Sequence, residues 1–159
     1  MARTFTSLSL CAASTALTLS CGVTAPGGGD LTLEATISRS VIPVGQTDTL
    51  TLRLRNLSAS PVTYRFSSSC QLMPFIEQAP TQTVYPPGAA YVCAAVLTTL
   101  ALPPGGEHFV VQEVRGVAPQ APPQAGIALP PGTYSAVAVL QPNSRTGELR
   151  SSPVIFRVQ

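Results

Sequence analysis

The sequence predicts an all-β sandwich. Short apolar runs alternate with polar residues at period two, most plainly where Leu50, Leu52 and Leu54 are interleaved with Thr51, Arg53 and Arg55. Side chains of a strand point to opposite faces in turn, so such a run has one apolar face. The 16 Pro and 12 Gly sit mostly between these runs, where turns belong. No stretch holds a helical period. The chain divides into seven to nine short strands with turn signals between them, the pattern of an antiparallel immunoglobulin-like β-sandwich.

Val44–Phe66 organises the rest. Its leucine run is followed by turn chemistry from Asn56 to Pro61, and then by Val62, Tyr64 and Phe66 in alternation with Thr63, Arg65 and Ser67. Two such runs joined by a short polar connection predict an antiparallel hairpin. A lone hairpin is unstable, so the remaining strands must cover its apolar face.

Leu31, Leu33, Ala35 and Ile37 predict a first strand, at a sheet edge. Cys70–Glu77 is apolar but contains Pro74, which suits a bulged or edge strand. Gln82–Tyr85 is a short strand. Tyr91–Ala95 and Val96–Leu102 read as one irregular strand or two short ones. His108–Val114 is a strand with Phe109 and Val111 facing inward. Arg115–Ala128 is Pro-rich and reads as a surface loop. Tyr134–Leu140 is nearly all apolar, hence a buried strand, and Val154–Val158 closes the sequence. Pro-Pro-Gly occurs at Pro86, Pro103 and Pro130, each before an apolar run, and predicts three similar type II corners.

Residues 1–20 read as a lipoprotein-type signal peptide. Arg3 supplies the positive start, Phe5–Leu19 is apolar, and Ser20-Cys21-Gly22 matches the acceptor site, although Thr18 departs from the usual apolar residue. Lipidation is expected at Cys21. Residues 21–30 then form a flexible Gly/Pro-rich tether, and residues 31–159 form the sandwich. An acylated Cys21 anchors the protein to a membrane without a spanning helix, which places it in the bacterial cell envelope. The alternative is cleavage near Ala12–Ala16 and a secreted, soluble product. In an exported domain Cys70 and Cys93 are expected to pair as a disulfide, with two buried thiols as the alternative.

The net charge of +2 is too small to suggest nucleic acid. His108 is the only histidine, and the glutamates are scattered. The cysteines and histidine lack metal-site spacing. A Ser-His-Asp arrangement would need His108 with Asp30 or Asp48. Catalytic residues, metals and cofactors are therefore not expected. Arg53, Arg55 and Arg65 are the candidate partner-binding residues, on one outer face of the predicted hairpin.

Asn56-Leu57-Ser58-Ala59-Ser60-Pro61-Val62, then Phe66, resembles the N-x-S … P-V … F hairpin of intracellular proteinase inhibitor (BsuPI-like) domains. Leu129-Pro130-Pro131-Gly132-Thr133-Tyr134 is similar to the L-x-P-G-x-Y segment that leads into their late strand. The resemblance covers roughly residues 31–140 and implies a β-sandwich and protease inhibition. The family commonly carries a tryptophan after the central turn, and this sequence has none. Its cytoplasmic setting also conflicts with the leader. Two functions are therefore expected of this sequence. The first is a non-enzymatic envelope lipoprotein whose sandwich binds or scaffolds another envelope protein. The alternative is a proteinase inhibitor acting on a protease through an exposed loop such as Arg115–Ala128.

Overall fold

The structure is a computed structural model that describes residues 30–78, 82–122 and 124–159. The segment expected to be a signal peptide, the expected lipidation site Cys21 and the expected tether up to residue 29 lie outside the described residues. The strands are β1 (Leu31–Ile37), β2 (Val41–Ile42), β3 (Thr47–Asn56), β4 (Val62–Phe66), β5 (Leu72–Gln78) and β6 (Gln82–Tyr85), then β7 (Thr98–Leu102), β8 (Glu107–Gly116), β9 (Ile127–Leu129), β10 (Gly132–Leu140), β11 (Leu149–Arg150) and β12 (Val154–Val158). Nine of them have four or more residues. The fold is all-β.

One layer is a sheet in the order β1-β3-β8-β9. The other runs β2-β12-β10-β5-β6, with β11 added to β10, and β4 pairs with β7 separately. The ladders are antiparallel except β8 with β9 and β12 with β2. The core lies between the layers. β3 supplies Leu50, Leu52 and Leu54, the β4–β7 pair supplies Val62, Tyr64, Phe66 and Leu102, and the second sheet supplies Ile76, Tyr134, Ala136, Leu140, Phe156 and Val158. Tyr134 donates its hydroxyl to the Pro130 carbonyl at 2.7 Å, closing the Pro-Pro-Gly corner that starts β10. Such a tyrosine-to-backbone bond is a feature of immunoglobulin-like sandwiches. Gly88 and Gly105 of the other two corners have φ of 67° and 68°, as a type II turn requires, whereas Gly132 has no positive φ and is already the first residue of β10, so the three corners are not alike.

The predicted hairpin is not formed. β3 pairs with β1 and β8, and β4 pairs with β7, so the two runs belong to different sheets. The cause is the connection. The fully buried Asn56 side chain donates to the carbonyls of Ser60, Leu102 and Pro103 at 2.9, 3.2 and 3.0 Å. Its Oδ1 accepts from Ser58 N at 3.0 Å and Ser58 Oγ at 2.8 Å. These bonds turn the chain through a corner into the β4–β7 pair.

β8 also has the opposite face inward from the one predicted. Leu52 pairs with Val110 and Leu54 with His108, so His108, Val110, Gln112 and Val114 face the core. Phe109 and Val111 point outward. The leucine triad of β3 fixes its own face, and β8 must match it across the ladder.

Tyr91–Leu97 is irregular, with the strand confined to Thr98–Leu102. Arg115–Ala128 is not all loop, because Arg115 and Gly116 end β8 and Ile127 starts the buried β9. β5 has the predicted irregularity, a register shift at Ile76/Glu77. Pro74 lies beyond the reach of β6, so its missing N–H costs no ladder bond there.

The β8 register is testable. Val114→Asp should abolish folding, because a buried unpaired carboxylate costs several kcal/mol, comparable with the stability of a small domain. Val111→Asp should leave the thermal midpoint nearly unchanged. Equal losses, or the reverse order in a thermal melt, would show that β8 has its other face inward.

Candidate interaction surface

The outer face of the four-stranded sheet follows from the β1–β3–β8 register. Glu34, Arg53 and Phe109 form one cross-strand row, Arg55 pairs with Glu107, and Thr36, Thr51 and Val111 form the next row. Phe109 is 50% and Val111 61% exposed. β8 therefore carries apolar residues on both faces at the middle of the sheet. Two large apolar side chains side by side on the solvent face of a central strand make this face the candidate interaction surface.

The charges beside them are organised. Arg53 donates to Glu107 and, at 3.4 Å, to Glu34, bridging β1 and β8 across β3. Arg55 Nε lies 3.4 Å from Glu107. That contact lacks hydrogen-bond geometry, so the Nε atoms of Arg53 and Arg55 are both sealed from water without a bond. The hydrogen bond with Glu107 is the main cause raising the Arg53 pKa, and the same bond holds the Glu107 carboxyl below its usual range. Exposed pairs of this kind add little stability, but they hold both arginines against the sheet.

The three candidate arginines are not brought to one face. Arg53 and Arg55 lie in this network, whereas Arg65 is on β4, opposite Thr99 of β7. Arg65 donates its backbone N–H to Ser144 Oγ at 3.2 Å, and its carbonyl accepts from Ser144 N at 2.9 Å.

Cys70 and Cys93 form a disulfide, with Cα atoms 5.6 Å apart. It holds the irregular segment after the Pro87–Ala89 turn against the start of β5. The neighbouring Tyr91 is a second anchor. Its ring packs edge-on against Phe75 and Tyr85, with centroids 5.4 and 5.9 Å away, and its hydroxyl donates to the Pro74 carbonyl. Burial is the main cause pushing the Tyr91 hydroxyl pKa well above its ordinary value. Arg150 stacks over Phe75 at 5.5 Å and bonds Glu77 at 3.0 Å, covering the outer side of β5.

His108 is half-buried on the inner side of β8, opposite Leu54, and burial lowers its pKa. Asp48 sits six residues along β3 from Leu54, opposite Val114, a separation of roughly 20 Å along the strand. Its carboxylate accepts from the N–H groups of Arg39 and Thr49, both at 2.8 Å. The two residues are not brought together. Among the described residues no group of three or more His, Cys, Asp or Glu could hold a metal.

Sequence reasoning missed the exposure of Phe109 and Val111, because their outward placement comes from the β3 register and not from their own run. It also missed the exposed segment beside the disulfide. A signal for that segment was present, since no Asp, Glu, Arg, Lys or His occurs between Glu77 and Glu107.

No protein-family model matches the chain, and no curated protein sequence matches it. Solved structures match it at low identity and low TM-score. The Pseudomonas fluorescens alkylpurine DNA glycosylase AlkC is 12% identical with a TM-score of 0.46, over 85% of this chain and 32% of that one. The Bacillus subtilis sporulation control protein Spo0M is 12% identical with a TM-score of 0.46, over 82% and 50%. A Listeria innocua β-glucosidase is 11% identical with a TM-score of 0.44, over 81% and 16%. The chain thus spans half or less of each of these proteins.

The disulfide closes a loop with a sequence separation of 23. Replacing Cys70 and Cys93 together by Ser should lower stability by about 2–5 kcal/mol, as loss of a native disulfide does in small exported domains. Denaturant melts of the double variant measure this directly. An unchanged midpoint would show that Tyr91 and its neighbours hold the segment unaided.

Proposed function

We propose that this chain is a non-enzymatic lipoprotein of the bacterial cell envelope, anchored through Cys21, whose sandwich binds another envelope protein. The observation that carries the binding role is the outer face of the β1–β3–β8 sheet. Phe109 and Val111 stand exposed at its centre, with Arg53 and Arg55 fixed beside them by Glu34 and Glu107. Protein interfaces concentrate their binding energy in aromatic and arginine side chains at the middle of a patch, ringed by polar residues. Threonines 36, 49 and 51 provide that polar surround. The expected partner offers an apolar centre with both carboxylates and cations at its rim, to match a face that carries both signs.

The inhibitor reading has less to support it. Its candidate loop is tied at both ends, with Arg115 and Gly116 in β8, Ile127–Leu129 in β9 and Val117 N bonded to the Leu129 carbonyl at 2.9 Å. An inhibitory loop needs to stand out from its scaffold.

The test is photo-crosslinking in the native envelope. A photoreactive phenylalanine analogue at Val111 should give a discrete crosslinked product, and the same analogue at exposed Thr63 of β4 should not. Adding Arg53→Glu should weaken the product. An alkyne-tagged fatty acid supplied to the same cells should label the wild-type chain and not Cys21→Ser. Absence of a Val111-specific product would reject the binding face, and label-free wild type would reject the anchor.

A further inference from the structure

The residues beside the disulfide expose more apolar surface than the sheet face does. Val92 is 103% and Leu97 85% exposed, and Ala94, Ala95 and Val96 are exposed with them. This is not a loose end. Cys93 is covalently held, Tyr91 is plugged between Phe75 and Tyr85, and Ser69 exchanges two bonds with Ala94. The first of these runs from Ser69 N to the Ala94 carbonyl at 3.0 Å, the second from Ala94 N to Ser69 Oγ at 2.9 Å. Thr98 Oγ1 donates to the Ser68 carbonyl at 2.7 Å, fixing the far end. The scaffold thus holds a row of apolar side chains out into water.

The unpaired charge beside this row is positive. Arg65 lies opposite Thr99, two residues beyond Leu97. Ser144 is bonded to the Arg65 backbone, which brings the adjacent Arg145 to the same end of the β4–β7 pair. Both arginines are exposed, and neither forms an ion pair among the described residues. The segment itself has no acid to repel an anion.

We propose that Val92–Leu97, with Arg65 and Arg145, is a membrane-contact surface for anionic phospholipid. The apolar side chains enter the boundary between headgroups and acyl chains, and the arginines meet lipid phosphates. Buried apolar area and attraction of cations to anionic lipid are the two terms that hold an interfacial element on a bilayer. A row lacking any charge, with two unpaired arginines at its Leu97 end and the acid on its Tyr91 side, Glu77, neutralised by Arg150, complements that surface. The sheet face around Phe109, which carries both signs, does not. The inference draws on the proposed anchor only for bringing the domain to the membrane.

The chain has no tryptophan, so a single introduced one reports its own surroundings. In the full chain, Leu97→Trp and Leu57→Trp are compared, Leu57 being 47% exposed beside Asp30 at the other end of the sandwich. The probe is a vesicle of phosphatidylglycerol and phosphatidylethanolamine with brominated acyl chains, set against phosphatidylcholine. Leu97→Trp emission should shift to the blue and be quenched with the anionic vesicles, while Leu57→Trp stays solvent-like. Arg65→Gln and Arg145→Gln should each weaken partitioning by about fivefold, the contribution of one basic residue near an anionic surface. Cys21→Ser should leave the Leu97→Trp signal in place, which separates this surface from the anchor. A solvent-like Leu97→Trp on anionic vesicles would overturn the proposal, as would equal shifts at both positions. A blue shift that follows protein concentration without lipid would overturn it in favour of self-association.

Discussion

The side chain of Asn56 decides the layout of the sandwich. It ends β3 at a buried position, where an amide without partners would be costly. It finds partners in two separate stretches: the Ser58–Ser60 turn and the junction where β7 runs into the Pro103 corner. Those bonds tie the point where the chain leaves one sheet to the point where β7 ends. Val62, Tyr64 and Phe66 then face the same core as Leu50, Leu52 and Leu54, but from another sheet.

The four-stranded sheet depends on β3 in the same way. Its burial alternates without a break over ten residues, and every neighbour takes its register from it. β8 cannot satisfy both its own apolar residues and that register. Val110 and Val114 go inward with His108 and Gln112, and Phe109 and Val111 are left outside. The exposed pair is therefore a consequence of ladder matching, and Arg53 and Arg55 come to lie beside it because they are on the outer positions of β3. At the other end of the β4–β7 pair the disulfide has a comparable effect. It fixes a segment that makes no ladder and leaves its apolar side chains uncovered.

Much of this was legible in the sequence. The leucine triad, the edge position of β1, the bulge in β5 and the buried β10 follow from period-two patterning and proline chemistry, and the cysteine pair was expected from the two cysteines of the sandwich region. The corner was not legible, because turn residues from Asn56 to Pro61 suit a hairpin and a sheet-to-sheet crossing alike. Only the distant partners of Asn56, Leu102 and Pro103, distinguish the two. The face of β8 was misread because four apolar residues straddle both parities. Placing Arg65 with Arg53 and Arg55 failed with the hairpin that was to join them.

The most direct test of the corner is a set of through-space proton contacts measured by NMR on the protein in solution. Cross-strand contacts should link Tyr64 with Leu100 and Arg53 with Phe109, with none linking the backbone of residues 47–56 to that of residues 62–66. An antiparallel ladder of contacts between those two stretches would contradict the corner. It would also remove the arrangement that leaves Phe109 and Val111 exposed.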